Sequence, residues 1–202
     1  MTTLTLYTNP MSRGRIARWM LEELGQPYET VLLDYGSAMK APEYLAINPM
    51  GKVPALRHDD RVVTECAAIC TYLADMFPQA GLMPSDRAAF YRWMFFGAGP
   101  FEAAVVNKAL GVTVPDDKRG MVGYGSFDDV IRTLRGHLAS SPYMVGTSFS
   151  AADVYLGAQI GWGMHFGSIP KEPEFVAYAE RIMGRPAAIR ARAIDEELAG
   201  RK

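Results

Sequence analysis

The sequence has little cysteine, almost no net charge and no long run of apolar residues. Its 202 residues include two cysteines, and the formal net charge is −1 at pH 7. Two cysteines cannot form the disulfide framework of a small secreted domain, and balanced charge gives no attraction to nucleic acid or to anionic membranes. No apolar run approaches the roughly 18 residues of a spanning helix, and the first residues do not resemble a secretory signal. A cytoplasmic protein is therefore expected.

The two cysteines, Cys66 and Cys70, lie four residues apart in a predicted helix. That spacing matches neither a CxxC redox motif nor a zinc site. The three histidines are scattered and no carboxylates cluster around them, so no metal site is predicted. Both cysteines are expected to be small, partly buried residues of a protein from a reducing compartment.

The pattern of apolar residues predicts two different halves. Short β-prone segments alternate with amphipathic helices in the first half, and the predicted strands are Leu4–Tyr7, Tyr28–Leu33, Val53–Leu56 and Val62–Thr64. Two prolines and a glycine between residues 78 and 84 indicate a linker. Beyond it the pattern is helical, with a bend or break expected at Gly97–Pro100. The predicted fold is an α/β domain over residues 1–79 followed by an all-α domain over residues 85–202.

Three local patterns combine turn chemistry with the start of a strand or helix. Pro54 follows a loop at the predicted start of a strand, where its missing N–H leaves no gap in the ladder. Glu65 and Cys66 lie where a strand ends and a helix begins, and the free N–H groups of such a terminus attract carboxylates. Ser150 followed by Asp153 is a capping box. By itself, Glu65 is also explained as an acidic residue of a first helical turn.

Together these segments resemble a cytosolic glutathione transferase over nearly the whole chain, in particular the bacterial, serine-type (theta-like) members. The resemblance rests on NPMGKVPAL at 48–56, TECAAICTYLA at 64–74, FSAADVYLG at 149–157 and RPAAIRAR at 185–192. It implies a thioredoxin-like first domain that binds glutathione and an all-helical second domain that forms the electrophile pocket, as in a two-domain glutathione transferase fold.

The resemblance also implies an activity and an assembly. The activity is attack of the glutathione thiolate on small apolar electrophiles, as in detoxification, and glutathione-dependent isomerisation or dehalogenation would use the same thiolate. Glutathione is the co-substrate, no metal is required, and the expected assembly is a homodimer. A second hypothesis keeps the fold and the glutathione site but makes the protein a non-catalytic glutathione-binding regulator or partner-binding module.

Matched to the family motif, the glutathione site falls in the first half. The resemblance implies that the backbone of Val53 pairs with the cysteinyl part of glutathione beside a cis Pro54, with Lys52 next to the glycyl carboxylate. Glu65 would meet the γ-glutamyl amine, and the residue after it the γ-glutamyl carboxylate. That next residue is usually serine, whereas Cys66 offers only a weak S–H donor, so weaker binding is expected.

The reacting group of such an enzyme is the glutathione thiolate, which a thiol with a pKa of about 8.5 forms poorly at pH 7. Lowering that pKa to about 6.5 takes about 2.7 kcal/mol, the size of one or two well-placed hydrogen bonds. The resemblance assigns this donor to Ser12, which on spacing alone is an N-cap. Tyr7 is the competing donor, because another branch of the family uses a tyrosine there, although its place on a strand favours packing.

Lys40 and the electrophile pocket are the least specific assignments. Lys40 is a further candidate for the glycyl carboxylate, or a solvated surface lysine. The apolar wall of the pocket is assigned to four side chains that are also common in protein cores: Phe96, Phe101, Met164 and Phe166.

Overall fold

The computed structural model describes residues 3–200, which form two compact units. The first unit joins the residues up to Gly81 with the segment from Gly184 onward, and the second is Leu82–Met183. The predicted domains, residues 1–79 and 85–202, differ from these units chiefly in the last helix, which packs in the first unit.

The first unit contains a four-stranded sheet with helices packed on it. Its strands are β1 (Leu4–Thr8), β2 (Glu29–Leu32), β3 (Ala55–His58) and β4 (Arg61–Thr64), in the spatial order β2-β1-β3-β4. β2 is parallel to β1, whereas β3 is antiparallel to both β1 and β4. The helices along this part of the chain are α1 (Gly14–Leu24), α2 (Ser37–Lys40), α3 (Pro42–Leu45) and α4 (Cys66–Met76).

The second unit is helical. Its helices are α5 (Arg87–Phe96), α6 (Glu102–Ala109), α7 (Phe127–Leu138), α8 (Ala151–Phe166) and α9 (Pro173–Met183). The break predicted at Gly97–Pro100 is a π-helical turn, Gly97–Phe101, between α5 and α6. A Cβ at Gly97 would lie 2.8 Å from the ring of Tyr155 on α8, so glycine allows the close approach at this turn. The predicted fold class, a thioredoxin-like α/β domain followed by helices, is confirmed.

The start of α8 is fixed by a buried carboxylate. The predicted capping box of Ser150 and Asp153 is present. Asp153, which is 0% exposed, also accepts the N–H of Met144 at 2.7 Å and the hydroxyl of Tyr178 at 2.9 Å. One side chain therefore ties α8 to the loop before it and to α9.

The last helix, α10 (Pro186–Gly200), packs against α1. Arg18 on α1 and Asp195 on α10, each 1% exposed, form a salt bridge with 2.8 Å between Nε and Oδ1. Nη1 of Arg18 also donates to the hydroxyls of Tyr28 at 3.1 Å and Thr30 at 3.2 Å. α10 thus contributes a buried charge to the first unit, which explains why it belongs there.

Two kinds of feature are absent from the part of the chain that the structure describes. None of the helices within residues 3–200 is long and apolar enough to cross a membrane. The same residues include no group of three His, Cys, Asp or Glu side chains arranged to hold a metal ion. Cys66 and Cys70 are not joined in a disulfide.

A half-buried histidine in the second unit packs against a tryptophan and two backbone carbonyls. The ring of His137 on α7 stacks on Trp93 with 4.4 Å between ring centroids. Its Nε2 lies 3.2 Å from the carbonyl of Tyr143 and 3.1 Å from that of Met144. Burial lowers the pKa of His137 below its ordinary value of 6.5, so the folded protein protonates this ring less readily than the unfolded chain does.

We expect His137 to make the protein less stable as the pH falls through 6.5. As the pH falls through this value, the unfolded chain protonates this histidine more fully than the folded protein does, which lowers the free energy of unfolding. Urea midpoints across this range in the wild type and in His137→Gln measure the effect. An equally steep decline in both proteins would assign it to other groups.

Candidate functional site

Three segments that carry predicted glutathione-binding residues emerge at one end of the sheet. Tyr7 on β1 pairs with Ala55 on β3, and Ala55 pairs with Thr64 on β4. Because β3 is antiparallel to both neighbours, the chain leaves β1 and β4 at the end where it enters β3. Three segments from distant parts of the sequence therefore lie at this end of the sheet: the turn after β1, the loop before β3 and the start of α4.

Ser12 lies half-buried in the turn between β1 and α1. Its hydroxyl donates to the carbonyl of Asn9 at 2.7 Å and accepts the N–H of Gly14, the first residue of α1, at 2.9 Å. The N-cap of α1 is Arg13 and not Ser12, but Ser12, one residue earlier, still bonds to the first N–H of the helix. The same hydroxyl lies at a helix N-terminus, where the dipole favours an anion, so the capping and donor roles are compatible.

Tyr7 packs in a small apolar cluster at the same end of β1. Its side chain is 7% exposed, and its ring centroid lies 5.9 Å from that of Tyr44. Met39 and Ala55 belong to the same cluster. These contacts favour the packing role for Tyr7 and leave Ser12 as the more accessible donor.

Side-chain hydrogen bonds hold the loop that enters β3. The carbonyl of Lys52 accepts the hydroxyl of Tyr44 at 2.6 Å and Nδ2 of Asn48 at 2.7 Å. Burial raises the pKa of Tyr44 to about 12, so this phenol remains a donor at neutral pH. The peptide bond between Val53 and Pro54 is cis, as the resemblance implied.

The backbone of Val53 offers an open edge. Among residues 3–200, neither its N–H nor its C=O finds a hydrogen-bond partner, although Ala55 two residues later is already paired with Tyr7. An extended peptide can pair with such an edge as an added strand. The side chain of the neighbouring Lys52 is exposed.

Lys40 closes the same loop from the other side. Its Nζ donates to the carbonyls of Met50 at 2.9 Å and Gly51 at 3.0 Å. Gly51 has a φ of +57°, and a Cβ there would lie 2.5 Å from the carbonyl oxygen of Met39. The loop therefore requires glycine at this position, and the structure gives Lys40 a loop-closing contact that neither sequence interpretation anticipated.

Glu65 joins β4 to α4 in a strained backbone conformation. Its φ of +69° and ψ of +124° lie in a region that glycine favours, and other residues adopt it at a cost of about 1–3 kcal/mol. The side chain is exposed at the N-terminus of α4. Strain of this kind concentrates at functional sites, which favours a binding role over that of an ordinary first-turn acid.

Cys66, the first residue of α4, connects two helix N-termini. Its Sγ donates to the carbonyl of Arg13 at 3.5 Å, and Arg13 is the residue after Ser12. The starts of α1 and α4 are therefore in contact, and both dipoles favour an anion there. One turn further along α4, burial raises the pKa of Cys70 well above its ordinary value, so that thiol is unreactive.

The four residues predicted for the electrophile pocket have different environments within the second unit. Phe101 and Met164 are 2% and 8% exposed, which favours packing roles for both. Phe96 is half-buried, with its ring 5.4 Å from that of Trp93, and Phe166 is 76% exposed at the end of α8. Phe96 and Phe166 are thus the accessible members, and the pocket itself stays a prediction.

Sequence reasoning missed the asparagines that shape the two loops. Oδ1 of Asn9 accepts the N–H of Met11 at 2.9 Å, and Oδ1 of Asn48 accepts the N–H of Met50 at 3.1 Å. Each asparagine directly precedes a proline. Asn-Pro marks a turn in which the side chain bonds to the backbone two residues on, so this signal was available in the sequence.

Comparison with known proteins relates this arrangement to one family. The family model "Glutathione S-transferase, N-terminal domain" matches residues 2–75. Protein LigF from Sphingobium sp. (strain NBRC 103272 / SYK-6) is 41% identical over 234 residues, which cover 92% of this chain and 91% of that protein. Glutathione S-transferase hmp2 from Hypomyces subiculosus is 30% identical over 167 residues, covering 75% of this chain and 78% of that protein.

A solved structure agrees over the full length. The crystal structure of a glutathione transferase homologue from Sulfitobacter with bound glutathione has a TM-score of 0.77 and 27% identity to this chain, covering 98% of this chain and 100% of that one. The similarity therefore includes both the sheet and the helical half, and it agrees with the family model and the relatives in sequence. The chain belongs to the glutathione S-transferase family.

Proposed function

We propose that this protein is a serine-type glutathione transferase, which ionises the thiol of bound glutathione and directs the thiolate at a small apolar electrophile. The observation that carries the proposal is the Ser12 hydroxyl, held between the carbonyl of Asn9 and the N–H of Gly14 at the start of α1. When this hydroxyl turns from the carbonyl to the sulfur, it donates a charge-assisted hydrogen bond to the thiolate. The N–H of Gly14 stays on the oxygen and strengthens the donor.

In this proposal, glutathione lies along the end of the sheet where the three segments meet. The open backbone of Val53 pairs with the cysteinyl part, and the exposed Lys52 faces the glycyl carboxylate. Glu65 binds the γ-glutamyl amine, and the backbone N–H of Cys66 binds the γ-glutamyl carboxylate at the start of α4. Lys40 supports the glycyl end chiefly through the loop carbonyls to which it donates.

The chemical step is nucleophilic attack by the thiolate. The sulfur forms a bond to an electrophilic carbon, and the leaving group departs with its electron pair, or an activated double bond takes up a proton. The protein contributes an ionised sulfur and a fixed position for both reactants. Phe96 and Phe166 are the accessible apolar side chains assigned to the electrophile.

An ultraviolet titration of the thiolate tests the proposal. Glutathione is added to the wild type and to Ser12→Ala across pH 5–9, and thiolate absorbance is followed as a difference spectrum. The wild type should ionise the bound thiol about two pKa units below its free value of about 8.5, and Ser12→Ala should lose this shift. Equal ionisation in both proteins would exclude Ser12 as the donor to the thiolate, and Tyr7→Phe would be the next variant to measure. Binding without any shift would identify a non-catalytic glutathione-binding module.

We also propose that the protein is a homodimer. Large apolar side chains are exposed in both units, with Met50 and Val62 in the first and Tyr91 and Phe95 in the second. A two-fold partner would remove these side chains from water, and closed dimers are the commonest assemblies of soluble proteins. Light scattering at micromolar concentration should give twice the mass of one chain, and a single-chain mass would refute the dimer.

Replacing Cys66 with serine is expected to tighten glutathione binding about two- to tenfold. In the proposed complex the side chain of residue 66 turns from the carbonyl of Arg13 to the γ-glutamyl carboxylate. A hydroxyl donates a stronger hydrogen bond to that carboxylate than a thiol does, and one such bond is worth about 0.5–1.5 kcal/mol. Isothermal calorimetry with glutathione measures the change, with Cys70→Ser as the matched replacement away from the ligand. An unchanged or weaker affinity in Cys66→Ser would show that the thiol does not face the carboxylate.

A further inference from the structure

Asn9 is a buried polar residue at the exit of β1, and both ends of its amide are bonded. The residue is 2% exposed. Its Nδ2 donates to the carbonyl of Leu33 at 2.8 Å, and its Oδ1 accepts the N–H of Met11 at 2.9 Å. An amide that is buried and satisfied at both ends fixes the backbone on both sides of it.

These bonds anchor the turn after β1 to the sheet. Leu33 follows β2 directly, and its own N–H donates to the carbonyl of Thr8 at 2.9 Å. The bond from Asn9 to Leu33 adds a side-chain link beside this backbone link. Nε of Arg15 donates to the carbonyl of Pro10 and holds the turn on its other side. The turn is therefore restrained at both ends, and Asn9 provides the link nearest β1.

The anchored residue is the one to which Ser12 bonds. The carbonyl of Asn9 accepts the N–H of Ser12 at 3.0 Å and its hydroxyl at 2.7 Å, while Oγ accepts the N–H of Gly14 at 2.9 Å. The position of Oγ therefore depends on where the Asn9 carbonyl lies, because the bond from the N–H of Ser12 to this carbonyl remains when the hydroxyl turns to the sulfur. That carbonyl is in turn held in place by the Asn9 side chain.

We infer that Asn9 is a positioning residue, whose side chain fixes its own carbonyl and, through the N–H of Ser12 that this carbonyl accepts, keeps Oγ of Ser12 in one place beside the glutathione sulfur. The inference rests on the function proposed for Ser12. Without the amide, the turn gains backbone freedom and the hydroxyl spends less time in the orientation that reaches the sulfur. Asn9 itself does not touch glutathione in this scheme and acts through Ser12.

The test combines variants of both residues with a titration of the bound thiol. Asn9→Ala is expected to raise the pKa of bound glutathione by about one unit, a roughly fivefold loss of thiolate at pH 6.5. It should add nothing in the Ser12→Ala background. Asn9→Ser keeps a side-chain acceptor for the N–H of Met11 without adding a charge but loses the donor to Leu33, so it should fold and give a smaller shift. Circular dichroism and calorimetry with glutathione accompany each titration.

A matched control removes an asparagine hydrogen bond elsewhere. Nδ2 of Asn107 donates to the hydroxyl of Tyr124 at 2.9 Å in the second unit, and Asn107→Ala should leave the thiol pKa unchanged. The inference is overturned if both Asn9 variants keep the wild-type pKa while Ser12→Ala loses it, a result that leaves the proposed function intact. It is also overturned if Asn9→Ala acts equally strongly in the Ser12→Ala background. If Ser12→Ala itself has no effect, the role of Ser12 and the inference fail together.

Discussion

The Ser12→Ala variant is expected to add glutathione to an electrophile about 50-fold more slowly than the wild type at pH 6.5. The loss of about 2.7 kcal/mol of thiolate stabilisation reduces the ionised fraction of the bound thiol from about one half to about 1%. Binding of glutathione should weaken little, since the contacts proposed for Val53, Lys52 and Glu65 are unchanged. The loss should therefore fall on kcat rather than on KM for glutathione. If Ser12 only stabilises the start of α1, the Ser12→Ala variant should instead have a lower unfolding midpoint and an unchanged kcat.

The pH profile of kcat/KM for the electrophile, measured at saturating glutathione, separates these two roles of Ser12. With an activated aryl chloride as electrophile, the wild-type profile should break at about pH 6.5 and that of Ser12→Ala at about pH 8.5. Above about pH 9 the two rates should converge, because hydroxide then ionises the thiol in both proteins. Ser140→Ala, which removes an exposed hydroxyl bonded to helix carbonyls of the second unit, is the matched control. Identical profiles for wild type and Ser12→Ala would rule out the donor role.

Asp195→Ala is expected to lower the free energy of unfolding by about 3–5 kcal/mol, since it leaves the guanidinium of Arg18 buried without a counter-ion. Both residues are 1% exposed. Within residues 3–200, Nη2 of Arg18 and Oδ2 of Asp195 are buried without hydrogen-bond partners. The cost of burying the two charges is therefore only partly offset by hydrogen bonds. Loss of the carboxylate should also loosen α10 from α1, the helix whose start carries Ser12.

Urea unfolding of single and double variants tests this assignment. Arg18→Met combined with Asp195→Leu should recover most of the stability lost in Asp195→Ala, because no unpaired charge is then buried. Arg119→Ala breaks an exposed ion pair with Asp116 and serves as the surface control, with no measurable change expected. If Asp195→Ala unfolds at the same midpoint as this control, the buried pair does not stabilise the first unit.

Much of the fold could be predicted because it follows from local patterns. Periodicity places the predicted strands within one or two residues of β1, β2 and β4, and the break at Gly97–Pro100 follows from the absence of a proline N–H. β3 begins at Ala55 rather than at Val53, because Pro54 has no N–H for the ladder. The capping box at Ser150 is likewise a short-range signal.

The contacts between distant segments could not be predicted in the same way. The pairing of Arg18 with Asp195 spans 177 positions. The alanine- and arginine-rich sequence of α10 does not indicate that this helix packs against α1. The residues of the glutathione site came from the resemblance to a family. The link from Asn9 to Leu33 depends on the register of β1 and β2, which periodicity alone does not fix.

On the ribosome, the first unit begins first and finishes last. Its sheet is complete once Thr64 has been made, yet Arg18 lacks Asp195 until α10 emerges. The roughly 120 residues between Gly81 and the end of α10 take on the order of 6–24 s to synthesise at 5–20 residues per second. During most of that interval, residues 82–183 become available to fold as a unit of their own. In the nascent chain, Arg18 therefore has no counter-ion while residues 82–183 are synthesised. The first unit can complete its fold only after α10, with Asp195, has been made.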